Sequence, residues 1–223
     1  MPSSLTTTAT ALTRLPALHL EPNRVIVGAF VQFVDSAGGW RLHEGKIPLP
    51  RGRQYLGLLT RRANQRFVDN IPEVMAEVPG GPELPDVDDL NAEIPQSEWP
   101  VGLSGKPEPP WRREYVLHFL DILNLSVMTF SNSTIGARRA VTDLEDRWEW
   151  AKVLYGSDVL PTFELGETVF PTSFAVRQRP VFDVKTWRRF SDGALRVVDA
   201  SVLALDAPQP KTNAEMMGDN VPF

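Results

Sequence analysis

REYVLHFLDILNLSVMTFSNSTIGARRAVTDLEDRWEWAKVLYG, residues 113–156, sets two strand patterns and one long helix pattern side by side. Residues 113–120 and 126–131 are rich in β-branched and aromatic side chains, and they read as two strands of a hairpin. Ser133 offers a side-chain oxygen to open a helix over about 134–155, and Gly156 stops it. Ala137, Ala140, Val141, Leu144, Trp148, Ala151 and Tyr155 recur every three or four residues, so they form one core-facing stripe.

Working outward, strand patterns follow at 159–165, 168–176 and 181–187, and one more spans 196–205. Upstream, 24–34 reads as a strand and 35–39 as a turn. Residues 40–59 hold one or two further strands, broken at Pro48 and Pro50. Residues 62–75 suggest a short helix cut by Pro72. The acidic, proline-rich run 77–110 is expected to be a long loop. The expected class is α+β, mostly β, with one main helix set before the last strands. An OB-like barrel has that order, with its helix between the third and fourth strands, and a generic α+β sandwich fits it too. The division is a loose N-terminal arm (1–22), a single nucleic-acid-binding domain (23–205) and a disordered linker with a terminal tip (206–223).

The chain has 223 residues, no cysteine, 42% hydrophobic and 23% charged residues. Disulfides, zinc ribbons and thiolate chemistry are thereby excluded, and a cytoplasmic setting is expected. Residues 1–20 lack the basic and apolar regions of a secretory signal, and no apolar run is long enough to span a bilayer. The net charge of −5 is segregated. Residues 1–70 carry nine Lys or Arg against four Asp or Glu, while 71–110 carry one against nine. An acidic total therefore coexists with a basic body, which leaves nucleic acid open as a partner.

Alternation places Arg51, Arg53 and Tyr55 on one face of an extended RGRQY, and groups Lys185 with Trp187 and Arg189. Arg177 and Arg179 pair in the same way. Arg61 and Arg62 extend the basic set, Arg112 and Arg113 follow Trp111, and Arg138 and Arg139 open the helix. Arginine neutralises phosphates and aromatic faces stack on bases, the mixture that single-strand binders use. Each stripe has a bland counterpart, since arginines on strands are commonly solvated and aromatics commonly packed. Trp150 falls off the helix's apolar stripe, where it can stack on a strand or seal a contact in a homo-oligomer.

Catalytic signatures are missing. His19, His43 and His118 are far apart, and no HExxH spacing occurs. Asp143, Glu145, Asp146 and Glu149 lie among Arg139, Arg147 and Lys152, an ion-paired helix face rather than a magnesium site. Glu164-Leu165-Gly166 lacks the lysine of a nuclease E-x-K, and no phosphate loop or nucleophile elbow is present. The expectation is a non-enzymatic binding protein without metal or cofactor.

The chain ends Gly218-Asp219-Asn220-Val221-Pro222-Phe223 after a Pro/Gln/Asn-bearing linker. This ending resembles the C-terminal tip of bacterial single-stranded DNA-binding proteins, in which aspartates precede Ile-Pro-Phe. Val221, Pro222 and Phe223 stand for that hydrophobic end, and Asp219 for one of the acids. The resemblance implies a body that holds single-stranded DNA without sequence specificity in replication, recombination or repair. It also implies a tip that recruits the proteins of those processes. Physically, the Phe223 ring can fill an apolar pocket while its α-carboxylate meets a cation at the rim. The body lacks the bacterial family's own pattern, which suggests a divergent, phage-encoded relative. The alternatives are a phage structural or assembly protein docking through its acidic 77–110 segment, and a nuclease.

Overall fold

The computed structural model describes residues 18–34, 39–102, 105–171, 176–191 and 194–198. The stripe in the opening stretch folds as its spacing dictates. Helix α2 runs Ile135–Tyr155 and buries Ala137, Ala140, Val141, Leu144, Trp148 and Ala151. Its cap is Thr134, one residue later than expected, because Asn132 Oδ1 accepts from the Thr134 N–H at 2.8 Å. That turn leaves Thr134 Oγ1 to accept from the Ala137 N–H at 3.3 Å. Gly156 ends the helix with φ 103°, a conformation that favours glycine.

Among the described residues, nine strands form one sheet: β1 (Ala29–Val34), β2 (Gly39–Leu42), β3 (Gln54–Val68), β4 (Ile71–Ala76), β5 (Arg112–Asp121), β6 (Ser126–Asn132), β7 (Val159–Pro171), β8 (Val176–Ser191) and β9 (Ala194–Val198). Their order is β2-β1-β6-β5-β3-β7-β8-β9, with β4 also on β3. Among the described residues only the β1–β6 pairing is parallel. The protein is thus mostly β with one main helix, and the ladder is an open sheet; no pairing among the described residues joins β2 to β9. The sheet nonetheless curls, since Trp40 on β2 donates from Nε1 to the Gly166 carbonyl on β7 at 2.9 Å.

Inside that curl, Trp40, Tyr55, Phe119, Phe130, Phe163 and Phe182 pack with ring centroids 5.2–6.2 Å apart, mostly edge to face. Such pairs add about 1 kcal/mol each beyond their buried area. Helix α2 lays Ala137, Ala140, Val141 and Leu144 on this cluster. A β-bulge lies between Gly57 and Leu59 where β3 pairs with β5. Gly57 belongs there because a Cβ would come within 2.7 Å of Pro161 Cγ.

Four sequence expectations change. Residues 62–75 are the β3–β4 hairpin, not a helix: Asp69 and Asn70, at φ 51° and 64°, make its two-residue turn. Pro72 is tolerated because β4 is an edge strand, where a missing N–H interrupts no central ladder. The acidic 77–110 run carries helix α1 (Val87–Ala92), capped by Asp86 and clamped by Asn91, which exchanges bonds of 2.9 and 3.1 Å with the Trp111 backbone. The three strand patterns of 159–187 are two long strands, β7 and β8, because Gly166 and Pro180 sit within the ladder without breaking it. Strand β1 is shorter than the 24–34 pattern, and residues 196–198 of the 196–205 pattern lie in β9, while 199–205 fall outside the described residues.

Candidate nucleic-acid interface

The structure separates the fifteen residues expected to meet nucleic acid. Tyr55 is fully buried, and burial pushes its hydroxyl up to about 12; it is a core residue and not a stacking platform. Alternation says which residues share a face but not which face is buried, and Tyr55 lies on the core side of β3. Arg53 is held by the almost fully buried Asp121, with Nε donating to Oδ1 at 3.0 Å. Trp111 is buried, with the Arg66 guanidinium 4.8 Å from its ring centroid.

Arg61 is a structural strut. It is buried and donates from Nε to His118 Nε2 at 3.0 Å. Its Nη1 reaches the Glu77 and Glu21 carbonyls at 3.1 and 3.4 Å, and its Nη2 those of Arg24 and Val25 at 2.6 and 3.0 Å. His118 must then be neutral at Nε2, and its Nδ1 faces Thr129 Oγ1 at 3.0 Å. Burial and the Arg61 charge bring His118 down to about 4. Arg62 makes a two-pronged pair with Glu145 of α2 and lies 4.8 Å over the Tyr115 ring.

The second β8 group is also dispersed. Thr162 pairs with Thr186 and Phe163 with Val184, so Lys185 is the extra residue of a bulge. Lys185 pairs with Asp183, whose hydrogen bond raises its pKa, and lies 3.7 Å from Glu164. Trp187 turns to the Trp148, Ala151 and Val159 cluster under α2. Arg189 pairs with Asp158 at 3.1 Å, Arg179 with Asp143 at 3.4 Å, and Arg51 with Glu167 at 2.5 Å. Arg139 and Arg177 are exposed and line neither of the hollows below. Asp219, Val221, Pro222 and Phe223 lie outside the described residues.

Three of the fifteen do converge. Arg112, Arg113 and Arg138 line a hollow of about 400 Å³ with Tyr115, Ser133, Thr134 and Ile135. No carboxylate belongs to that lining. Arg112 makes an exposed pair with Glu108 at 2.6 Å, a class worth about 0–1 kcal/mol, and its charge also acts on Glu114. Arg113 donates to the Pro85 carbonyl at 3.1 Å, which leaves its charge unneutralised. Arg138 is exposed and has no side-chain partner among the described residues. The start of α2 adds the positive end of its dipole.

A second hollow, of about 500 Å³, shares the Ser133–Thr134 wall. The register puts Gln65 and Glu114 on the face of Ala63, opposite to Arg113 and Tyr115, so the two hollows meet over the rim of the sheet. Phe30, Phe67 and Val74 give the second hollow apolar walls, and Arg24, Gln65, Asn132 and Glu114 its polar points. Burial raises the Glu114 carboxyl, against hydrogen bonds from Ser131 and Ser133 and the Arg112 charge. Phe67 is 65% exposed. The sequence reading missed Phe30, Phe67 and Glu114. The Asp69-Asn70 turn between two apolar runs was the available signal, since it makes 61–68 a strand and Phe67 a hairpin tip.

Among the described residues, no group of three His, Asp or Glu could hold a metal ion, and no helix is long and apolar enough to cross a membrane. Comparison with protein families, curated proteins and solved structures finds no match.

Proposed function

We propose that this chain binds single-stranded nucleic acid without strict sequence specificity, as a single-stranded DNA-binding protein of replication, recombination or repair. The observation that carries the reading is the convergence of Arg112, Arg113 and Arg138 on one hollow without a lining carboxylate. Phosphates sit among these guanidinium groups, and the strand crosses the rim toward Phe67, whose ring stacks on a base. Non-specific binding needs no base-edge readout, so a basic hollow beside exposed aromatics suffices. The terminal Asp219, Val221, Pro222 and Phe223 recruit partner enzymes in a bacterial cytoplasm, a part of the reading that rests on the tip's resemblance alone.

Fluorescence anisotropy with labelled oligo-dT across a salt series tests it. Three phosphate contacts give a log–log slope of about −2 for a single strand. The R112A/R113A/R138A variant should lose most of that slope. Absence of binding at low salt, or binding indifferent to salt, would sink the reading.

A second reading, a self-assembling structural component, is favoured by one observation. Trp150, Val153 and Leu154 are exposed on one side of α2, at 65%, 78% and 51%. Residues three and four apart share a helix face, and an apolar one at this exposure suits a subunit contact. Sedimentation of wild type against W150E separates the readings: multimers that dissociate in the variant, with no oligonucleotide affinity, would favour assembly.

A further inference from the structure

We propose that the hollow under Phe67 takes one nucleobase, and that Glu114 selects bases with an exocyclic amine over thymine or uracil. The inference rests on the single-strand reading above and adds a base preference to it.

The hollow has both halves of a base site. Phe30 and Phe67 supply faces for stacking, and Phe67 is held out at the hairpin tip by the Asp69-Asn70 turn. Polar groups stand at the floor. Glu114 Oε2 accepts from Ser131 Oγ at 2.9 Å, and Ser133 gives the carboxylate a second hydrogen bond. An ionised carboxylate has about four acceptor sites, so about two remain for a ligand's donors. Gln65 is fixed between Arg112 on β5 and Val74 on β4, and its amide has no partner among the described residues. Asn132 spends its Oδ1 on the Thr134 N–H. Its Nδ2 stays available as a donor to a ring nitrogen or carbonyl.

This donor and acceptor set discriminates. Cytosine, adenine and guanine each present an amine that a carboxylate can accept, as in the pairing of Glu or Asp with the cytosine amine. Thymine and uracil present a carbonyl oxygen where cytosine carries its amine, and that oxygen faces the half-buried carboxylate acceptor to acceptor, which costs affinity at that position. The serine bonds hold Glu114 in place, so it cannot turn away at no cost. The adjoining arginine hollow holds the flanking phosphate whichever base is present, so preference and affinity come from different residues.

Anisotropy with labelled oligo-dC, oligo-dA and oligo-dT of one length, at one low salt concentration, tests this. Oligo-dC and oligo-dA should bind about tenfold more tightly than oligo-dT. E114Q should bring the three affinities together. F67A, a change at an exposed tip that the fold tolerates, should weaken all three by about tenfold through lost stacking. Equal wild-type affinities would overturn the inference and leave the single-strand reading standing. A dC-to-dT ratio unchanged in E114Q would overturn the role of Glu114. No binding of any oligonucleotide would overturn both readings. The wild-type comparison stands whether or not either variant folds.

Discussion

Arg61 and Arg138 are the same residue type in the same protein, and their surroundings divide them completely. Arg61 is buried, and its guanidinium satisfies four backbone carbonyls and one imidazole from segments far apart in the chain. Arg138 stands exposed over a hollow that it shares with two other arginines. A buried guanidinium is kept only where its donors are matched, so its charge belongs to the fold. An unmatched charge at the surface is available to a ligand. The difference shows that a basic stripe in a sequence is evidence of a binding face only after the buried struts have been removed from it.

Breaking the strut should produce the largest effect. R61A leaves the Glu21, Arg24, Val25 and Glu77 carbonyls without their donor and opens a void beside His118. The expected loss is about 4 kcal/mol, at the large end for one substitution. Urea denaturation would read it as a lower midpoint. R61M, which keeps the stem's bulk, should recover less than half, because packing is the smaller part. A loss no larger than that of a surface substitution would show that the carbonyls are satisfied by other means and would erase the distinction.

Acid should break the same strut more gently. His118 titrates near 6.5 in the unfolded chain and is brought down to about 4 in the fold. Between those values the unfolded chain binds the proton and the folded chain does not, so stability falls as pH drops through that window. Below about 4 the contribution levels off. The full span is about 3 kcal/mol, from 1.36 kcal/mol per pKa unit. The physical cause is that a protonated Nε2 loses its acceptor role and sets a second cation against Arg61. H118Q, whose amide oxygen can still accept from Arg61, should flatten the urea midpoint between pH 7 and pH 5 relative to wild type. Parallel pH profiles in the two proteins would remove His118 from the strut.

The division between legible and hidden features follows the range of the interactions. Helix α2 was legible because Ala137, Ala140, Val141, Leu144 and Trp148 repeat within one segment and Gly156 follows. The β5–β6 hairpin was legible for the same local reason. Residues 61–68 were not, because the strand buries parts of both faces and shows no clean alternation. Arg61 itself could not be identified, since most of its partners are backbone carbonyls, which every residue possesses. Tyr55 was misplaced because alternation groups residues by face without saying which face meets the core, and that is decided by long-range packing on Phe119 and Phe163. The candidate site was half legible. Arg112, Arg113 and Arg138 announced their chemistry, but nothing local says that the start of β5 and the start of α2 lie together. Glu114 and Phe67 needed the β3–β5 register and the hairpin turn, both products of long-range pairing.

The smallest expected effect on stability is also the sharpest test of the comparison. R138A removes an exposed side chain without a partner among the described residues, so the urea midpoint should move by less than about 0.5 kcal/mol in stability terms. The slope of log affinity against log salt for oligo-dT should nevertheless fall by about 0.7, the share of one phosphate contact to a single strand. R139A is the matched control: its side chain is one residue along the same helix, exposed, and outside the lining of the hollow. If the hollow is where phosphate sits, R139A should leave the slope near its wild-type value. If both variants lower the slope equally, the arginines act as a diffuse positive field around the start of α2. The contrast between a strut and a ligand-facing charge would then hold for Arg61 but not for the hollow.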